Sequence, residues 1–92
     1  MDVETVFSFL NTVQTIQAEH VLLKAGLHVL VMPIPLEINA GCGLCLRLPP
    51  SEGRDAERIL QENAIAPQKI FTRTIKNGKS EFSILGENSH EK

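Results

Sequence analysis

Three features of the 92-residue sequence predict an α+β fold. Two segments of 3.6-residue apolar periodicity alternate with short extended runs, in the order strand–helix–strand–strand–helix–strand. Prolines and glycines punctuate these runs where the chain must turn. Asn77-Gly78 then marks a two-residue hairpin that adds a terminal arm. Two right-handed βαβ-type units in this order give a ferredoxin-like βαββαβ sandwich. The expectation is a four-stranded antiparallel sheet with both helices on one face, plus a C-terminal β-hairpin arm. Residues 1–85 are expected to form a single domain, and the polar residues 86–92 a flexible tail.

Val3 to Leu10 alternates and reads as the first strand, with one clearly apolar face. Asn11 followed by Gln14 is a capping-box pattern opening a helix that runs to Ala25 and stops at Gly26, a residue suited to a left-handed C-terminal position. Ala18, Val21, Leu22 and Ala25 share one face and are expected to pack on the sheet. Val13, Ile16 and Leu23 form a second stripe, with His20 among them. It is either a self-association surface or a set of scattered exposed aliphatics. Leu27 to Met32 is nearly continuously apolar, which suits a central second strand. The third strand, Leu44 to Leu48, places Leu44, Leu46 and Leu48 on one face and Cys45 and Arg47 on the other. Pro49-Pro50 ends it, and Ser51 is expected to cap a second helix over about Glu52 to Asn63, with Ala56, Ile59, Leu60 and Ala64 buried. Gln68 to Ile75 and Lys79 to Leu85 are the last two strands, joined through Asn77-Gly78 by a type I′ turn.

Composition narrows the function. The net charge is -2 with scattered basic residues, and there are four Phe but no Trp or Tyr. A phosphate-tracking or base-stacking surface is therefore not expected, and with it no nucleic-acid partner. No apolar run reaches the roughly 18–20 residues that span a bilayer. The acidic start Met1-Asp2-Val3-Glu4 is unlike a secretory signal, so a cytoplasmic location without a membrane partner is expected. Two cysteines in such a chain do not form a disulfide framework. No Ser/His/Asp arrangement, phosphate-binding loop, dinucleotide fingerprint or paired-carboxylate site is visible, which argues against an ordinary hydrolase.

The chemistry concentrates between Met32 and Leu48. Pro33 and Pro35 end one apolar run stiffly, and Cys42 then stands between Gly41 and Gly43 before the next run begins. Glycine on both sides lets the backbone take positive φ and approach the sulfur closely. A free thiol has a pKa of about 8.5, so a working thiol needs its anion stabilised, and N–H groups of such a bend can do this. The bland alternative is a small buried hydrophobe. Cys45 completes a Cys-x-x-Cys spacing. If Gly43 onward is strand, however, the two Cα atoms lie roughly 10 Å apart, beyond the limit of about 7 Å for a disulfide. No metal site within one chain, and no cofactor, is expected. Arg47, on the Cys45 face, can attract an anionic substrate or stand as a solvated strand residue. His28 is more naturally a satisfied or exposed histidine, and Glu37 is a possible tether of the bend.

Met32-Pro33-Ile34-Pro35, Glu37-Ile38, Gly41-Cys42-Gly43-Leu44 and Arg47 together resemble the central motif of a small bacterial family of selenium/sulfur carrier-like proteins. Ala18-Glu19, Leu22 and Ala25-Gly26-Leu27 resemble its first helix and the turn that follows. The resemblance spans roughly residues 5 to 72. It implies that Cys42 carries sulfur or selenium as a persulfide-type adduct, passed from a donor protein to an acceptor protein, with Gly41, Gly43 and Arg47 as substrate-binding residues. Such a protein is a carrier more than an enzyme. Leu36 departs from the family pattern where a basic residue is expected, and Cys45 departs where a small residue is usual. Two other classes remain open: a protein-interaction or assembly module with Cys42 merely packed, and a thiolate metal site completed between two chains of a homo-oligomer.

Overall fold

The computed structural model describes residues 2–34 and 43–87. Its elements are β1 (Asp2–Ser8), α1 (Thr12–Lys24), β2 (Leu30–Pro33), β3 (Leu44–Leu48), a 3-10 turn (Pro50–Glu52), α2 (Gly53–Glu62), β4 (Lys69–Lys76) and β5 (Lys79–Glu87). The strands form one five-stranded sheet in the order β2-β3-β1-β4-β5, with every neighbouring pair antiparallel. This is the expected α+β class. The hairpin turns at Asn77 and Gly78, whose φ angles of 51° and 77° are the two positive values a type I′ turn requires. Its second strand is a full member of the sheet, extending to Glu87.

Both helices pack into one core on one sheet face. Ala18 and Leu22 of α1 and Ala56 and Leu60 of α2 meet Phe7, Leu46 and Leu48 there. Antiparallel partners share a face, so the registers Phe7↔Leu46 and Phe7↔Ile70 carry that core across three strands. The alternate residues make a second, smaller core on the other face, where Val6, Cys45 and Phe71 are buried beneath Met32, Ile34 and Phe82. The sequence reading of a single apolar face on β1 is thus incomplete, since Val6 and Ser8 are as buried as Phe7.

α1 begins as expected. Asn11 Oδ1 accepts the Gln14 N–H at 2.8 Å, and Gly26, at φ 90°, follows the last turn. Gly26 N–H donates to Leu23 O and Leu27 N–H to Leu22 O, the paired bonds that satisfy the final carbonyls of a helix. These bonds take Leu27 out of the second strand, which starts at Leu30 instead. Thr15, Ala18 and Leu22 are the buried stripe; Ala25 is exposed and Val21 only half-buried. Val13, Ile16 and Leu23 are exposed, as the second stripe requires.

Three expectations are corrected. β2 lies at the sheet edge rather than its centre, because Pro33 has no N–H to give a second neighbour. Ser51 does not cap α2. Pro49-Pro50 leads into a 3-10 turn through Ser51, and α2 starts after Glu52 with no side-chain cap. Ala64 is not on the buried stripe: it follows the helix, exposed, with φ 59°. There it plays the part of Gly26, with Ala64 N–H donating to Gln61 O and Ile65 N–H to Leu60 O.

Candidate functional site

The motif thiol is approached along β3 from its first residue. Ile34 N–H donates to Gly43 O at 2.8 Å, so the β2–β3 ladder continues to the two residues flanking 35–42. Gly41, Cys42, Leu36 and Glu37 lie outside the described residues, as does His90. Gly43 is exposed and adopts φ 87°, the left-handed conformation that its position beside Cys42 was expected to need. A Cβ there would meet no atom within 4 Å. Backbone conformation, not crowding, is therefore what favours glycine at this point.

Cys45 is fully buried in the second core, its Sγ 3.9 Å from Pro33 O. A thiol without solvent access is inert towards protein partners. Cys45 and Arg47 share the face opposite Leu46 and Leu48, as the alternation predicts. Among the described residues no group of three His, Cys, Asp or Glu side chains is placed to hold a metal ion.

Arg47 is engaged in a charge cluster that sequence reading missed. Its Nη1 donates to Glu4 Oε2, while Arg73 Nη1 donates to Glu4 Oε1 at 2.6 Å. Arg73 Nε also donates to Ser80 Oγ at 3.3 Å. One carboxylate on β1 thus joins guanidinium groups on β3 and β4. The cause is register: Glu4 lies opposite Arg73, and Arg47 lies opposite Val6, one pleat along on the same face. Alternation along each strand alone already put Glu4 and Arg47 on their polar faces. The strand order needed to bring them together is not written in any one segment.

Beyond Arg47 the face ends in an open cleft of about 580 Å³, bounded by Glu4, Arg47, His28, Leu30, Pro49 and Ile75 among others. His28 is held by Glu52, which accepts its backbone N–H at 2.7 Å and lies 2.6 Å from the ring Nδ1. The His28 side-chain bond, and then its backbone bond, hold the Glu52 carboxyl below its ordinary pKa.

A family model described as "Putative Se/S carrier protein-like" matches residues 4–72. The chain belongs to that family. The matched span contains the Gly41-Cys42-Gly43-Leu44 motif and Arg47. An Escherichia coli (strain K12) protein named "Uncharacterized protein YtiA" is 43% identical over 51 residues, covering 53% of this chain and 60% of its own length. The chain thus matches about three-fifths of that relative. No helix among the described residues is long and apolar enough to cross a membrane.

Proposed function

We propose that the protein is a sulfur or selenium carrier whose working group is the Cys42 thiol. The observation that carries this reading is membership of a family described as selenium/sulfur carrier-like, matched across the whole glycine-flanked cysteine motif. Two features support it: the exposed, left-handed Gly43 next to the thiol, and the burial of Cys45, which leaves Cys42 as the cysteine for exchange.

In loading, the Cys42 thiolate attacks the terminal sulfur of a donor persulfide, R–S–SH. The donor S–S bond breaks, R–S⁻ leaves, and Cys42–S–SH forms with no net oxidation. Delivery is the same exchange in reverse, with an acceptor nucleophile taking the outer sulfur; selenium follows the same course. In this reading the glycines flanking Cys42 leave backbone N–H groups free to approach the thiolate and raise its fraction at neutral pH. Donor and acceptor proteins are the partners, and the carrier is a co-substrate of their reactions in the cytoplasm.

Incubation with a cysteine desulfurase and cysteine, followed by intact mass spectrometry, tests this. The expected result is the gain of one sulfur atom, removed by dithiothreitol and mapped to Cys42. No gain, or a gain mapped to Cys45, overturns the proposal.

A further inference from the structure

The Glu4–Arg47–Arg73 cluster is unbalanced. Two guanidinium groups share one carboxylate, so among the described side chains the cluster carries one positive charge in excess. The side chains of Arg47, Arg73 and Glu4 are only 35%, 23% and 21% exposed, so that charge is screened less than at a free surface. A guanidinium carries five N–H donors. Arg47 uses Nη1 on Glu4, and its Nε and Nη2 have no partner among the described residues. Glu52 is engaged by His28, which borders the same cleft.

Arg47 borders the cleft, and most of the remaining wall is apolar: Val3, Leu30, Leu48, Pro49, Pro50 and Ile75. The volume of about 580 Å³ suits a small molecule. An inorganic oxyanion would meet one guanidinium and the exposed His28 ring, but also the Glu4 carboxylate and a mostly apolar wall, leaving several of its oxygens without donors. An anion with an apolar body satisfies both kinds of wall. Leu30 is 55% exposed in the free protein, so part of that wall is available to be covered.

We propose that this cleft binds a small organic carboxylate. The carboxylate is held by the unused N–H groups of Arg47, and the hydrocarbon body lies against Leu30, Pro49 and Pro50. Glu4 anchors the cluster from inside: it holds Arg47 and Arg73 in position yet neutralises only one of them. The proposal does not use the Cys42 thiol and stands whether or not Cys42 carries sulfur.

The test is an NMR titration of the full chain with isovalerate, acetate and inorganic phosphate at constant ionic strength, following backbone amides and arginine Nε–H signals. Isovalerate is expected to give saturable shifts at Arg47 Nε–H, Leu30 and Leu48, with at least about fivefold tighter binding than acetate because only it fills the apolar wall. Arg47→Met is expected to weaken isovalerate binding at least about tenfold, through loss of a charge-assisted hydrogen bond. Leu30→Ser, at an exposed position that leaves both cores intact, is expected to weaken it about threefold and leave acetate unchanged. The proposal is overturned by unsaturable shifts in the wild type, by acetate or phosphate binding as tightly as isovalerate, or by unchanged affinity in Leu30→Ser. If Arg47→Met fails to fold, the Leu30→Ser and acetate comparisons decide.

Discussion

At its Gly43 end β3 meets solvent through a left-handed glycine whose surroundings would admit a side chain; at its Arg47 end it is tied by Glu4 to the neighbouring strands and borders an apolar cleft. Between them lie Leu44, Cys45 and Leu46, the last two fully buried in opposite cores. The first end is organised by backbone freedom, which suits bond exchange at a neighbouring atom. The second is organised by fixed charge, which suits recognition. Arg47 lies four residue steps along the strand from Gly43, roughly 13 Å. Substitutions at the two ends should therefore act almost additively.

The largest expected effect is at the Gly43 end, next to the proposed carrier thiol. Cys42→Ser should abolish sulfur loading while leaving the melting temperature close to that of the wild type. Cys45→Ala should do the reverse: loading persists, and stability falls by about 1 kcal/mol because a packed sulfur is lost from the second core. Intact mass and thermal melts on the same two variants read both quantities. Loading lost in Cys45→Ala would erase the distinction between the two cysteines.

Gly43→Val comes next. With no atom within 4 Å of a Cβ at this site, the cost is conformational. A β-branched residue at positive φ should lose about 2 kcal/mol in denaturant melts. If N–H groups beside Gly43 stabilise the proposed carrier thiolate, their displacement should also slow iodoacetamide alkylation of Cys42 at neutral pH. A folded variant with unchanged alkylation would show that Gly43 serves the chain path alone.

Ala64 offers a calibration for that strain. It occupies a left-handed position like Gly43 and Gly26, but with a side chain. Ala64→Gly should therefore gain about 1 kcal/mol, close in size and opposite in sign to the loss in Gly43→Ala. Unequal values would mean that one position has contacts beyond its backbone angle.

These same residues show what the sequence could disclose. Asn11, Gly26 and Asn77-Gly78 act through their immediate neighbours, so their roles were legible from local pattern, and so was the α+β class. Gly43's positive φ was legible for the same reason. Ala64 was not: alanine gives no signal for a left-handed position, and its spacing from Leu60 imitates another helical turn. The edge position of β2 was written in Pro33, but the nearly continuous apolar run from Leu27 to Met32 imitates a central strand. The Glu4–Arg47–Arg73 cluster was least legible, because it joins three strands far apart in the chain and exists only through their register.

The smallest effect belongs to Glu52, and its sign follows from linkage. The ring and backbone bonds from His28 favour the charged carboxylate, so its pKa in the folded protein lies below the unfolded value. A carboxyl lowered in this way contributes stability above its unfolded pKa, and that contribution is lost as the pH falls through the folded pKa. Glu52→Gln should therefore be less stable than the wild type near neutral pH, and the gap should narrow in acid. Thermal melts at about pH 7 and about pH 3 would measure the two gaps. Because His28 borders the cleft beside Arg47, the loss should register at that end of β3 and spare the other. Cys42 alkylation in Glu52→Gln is accordingly expected to match the wild type. A slowed rate would mean that the two ends communicate through the strand, and their additivity would fail.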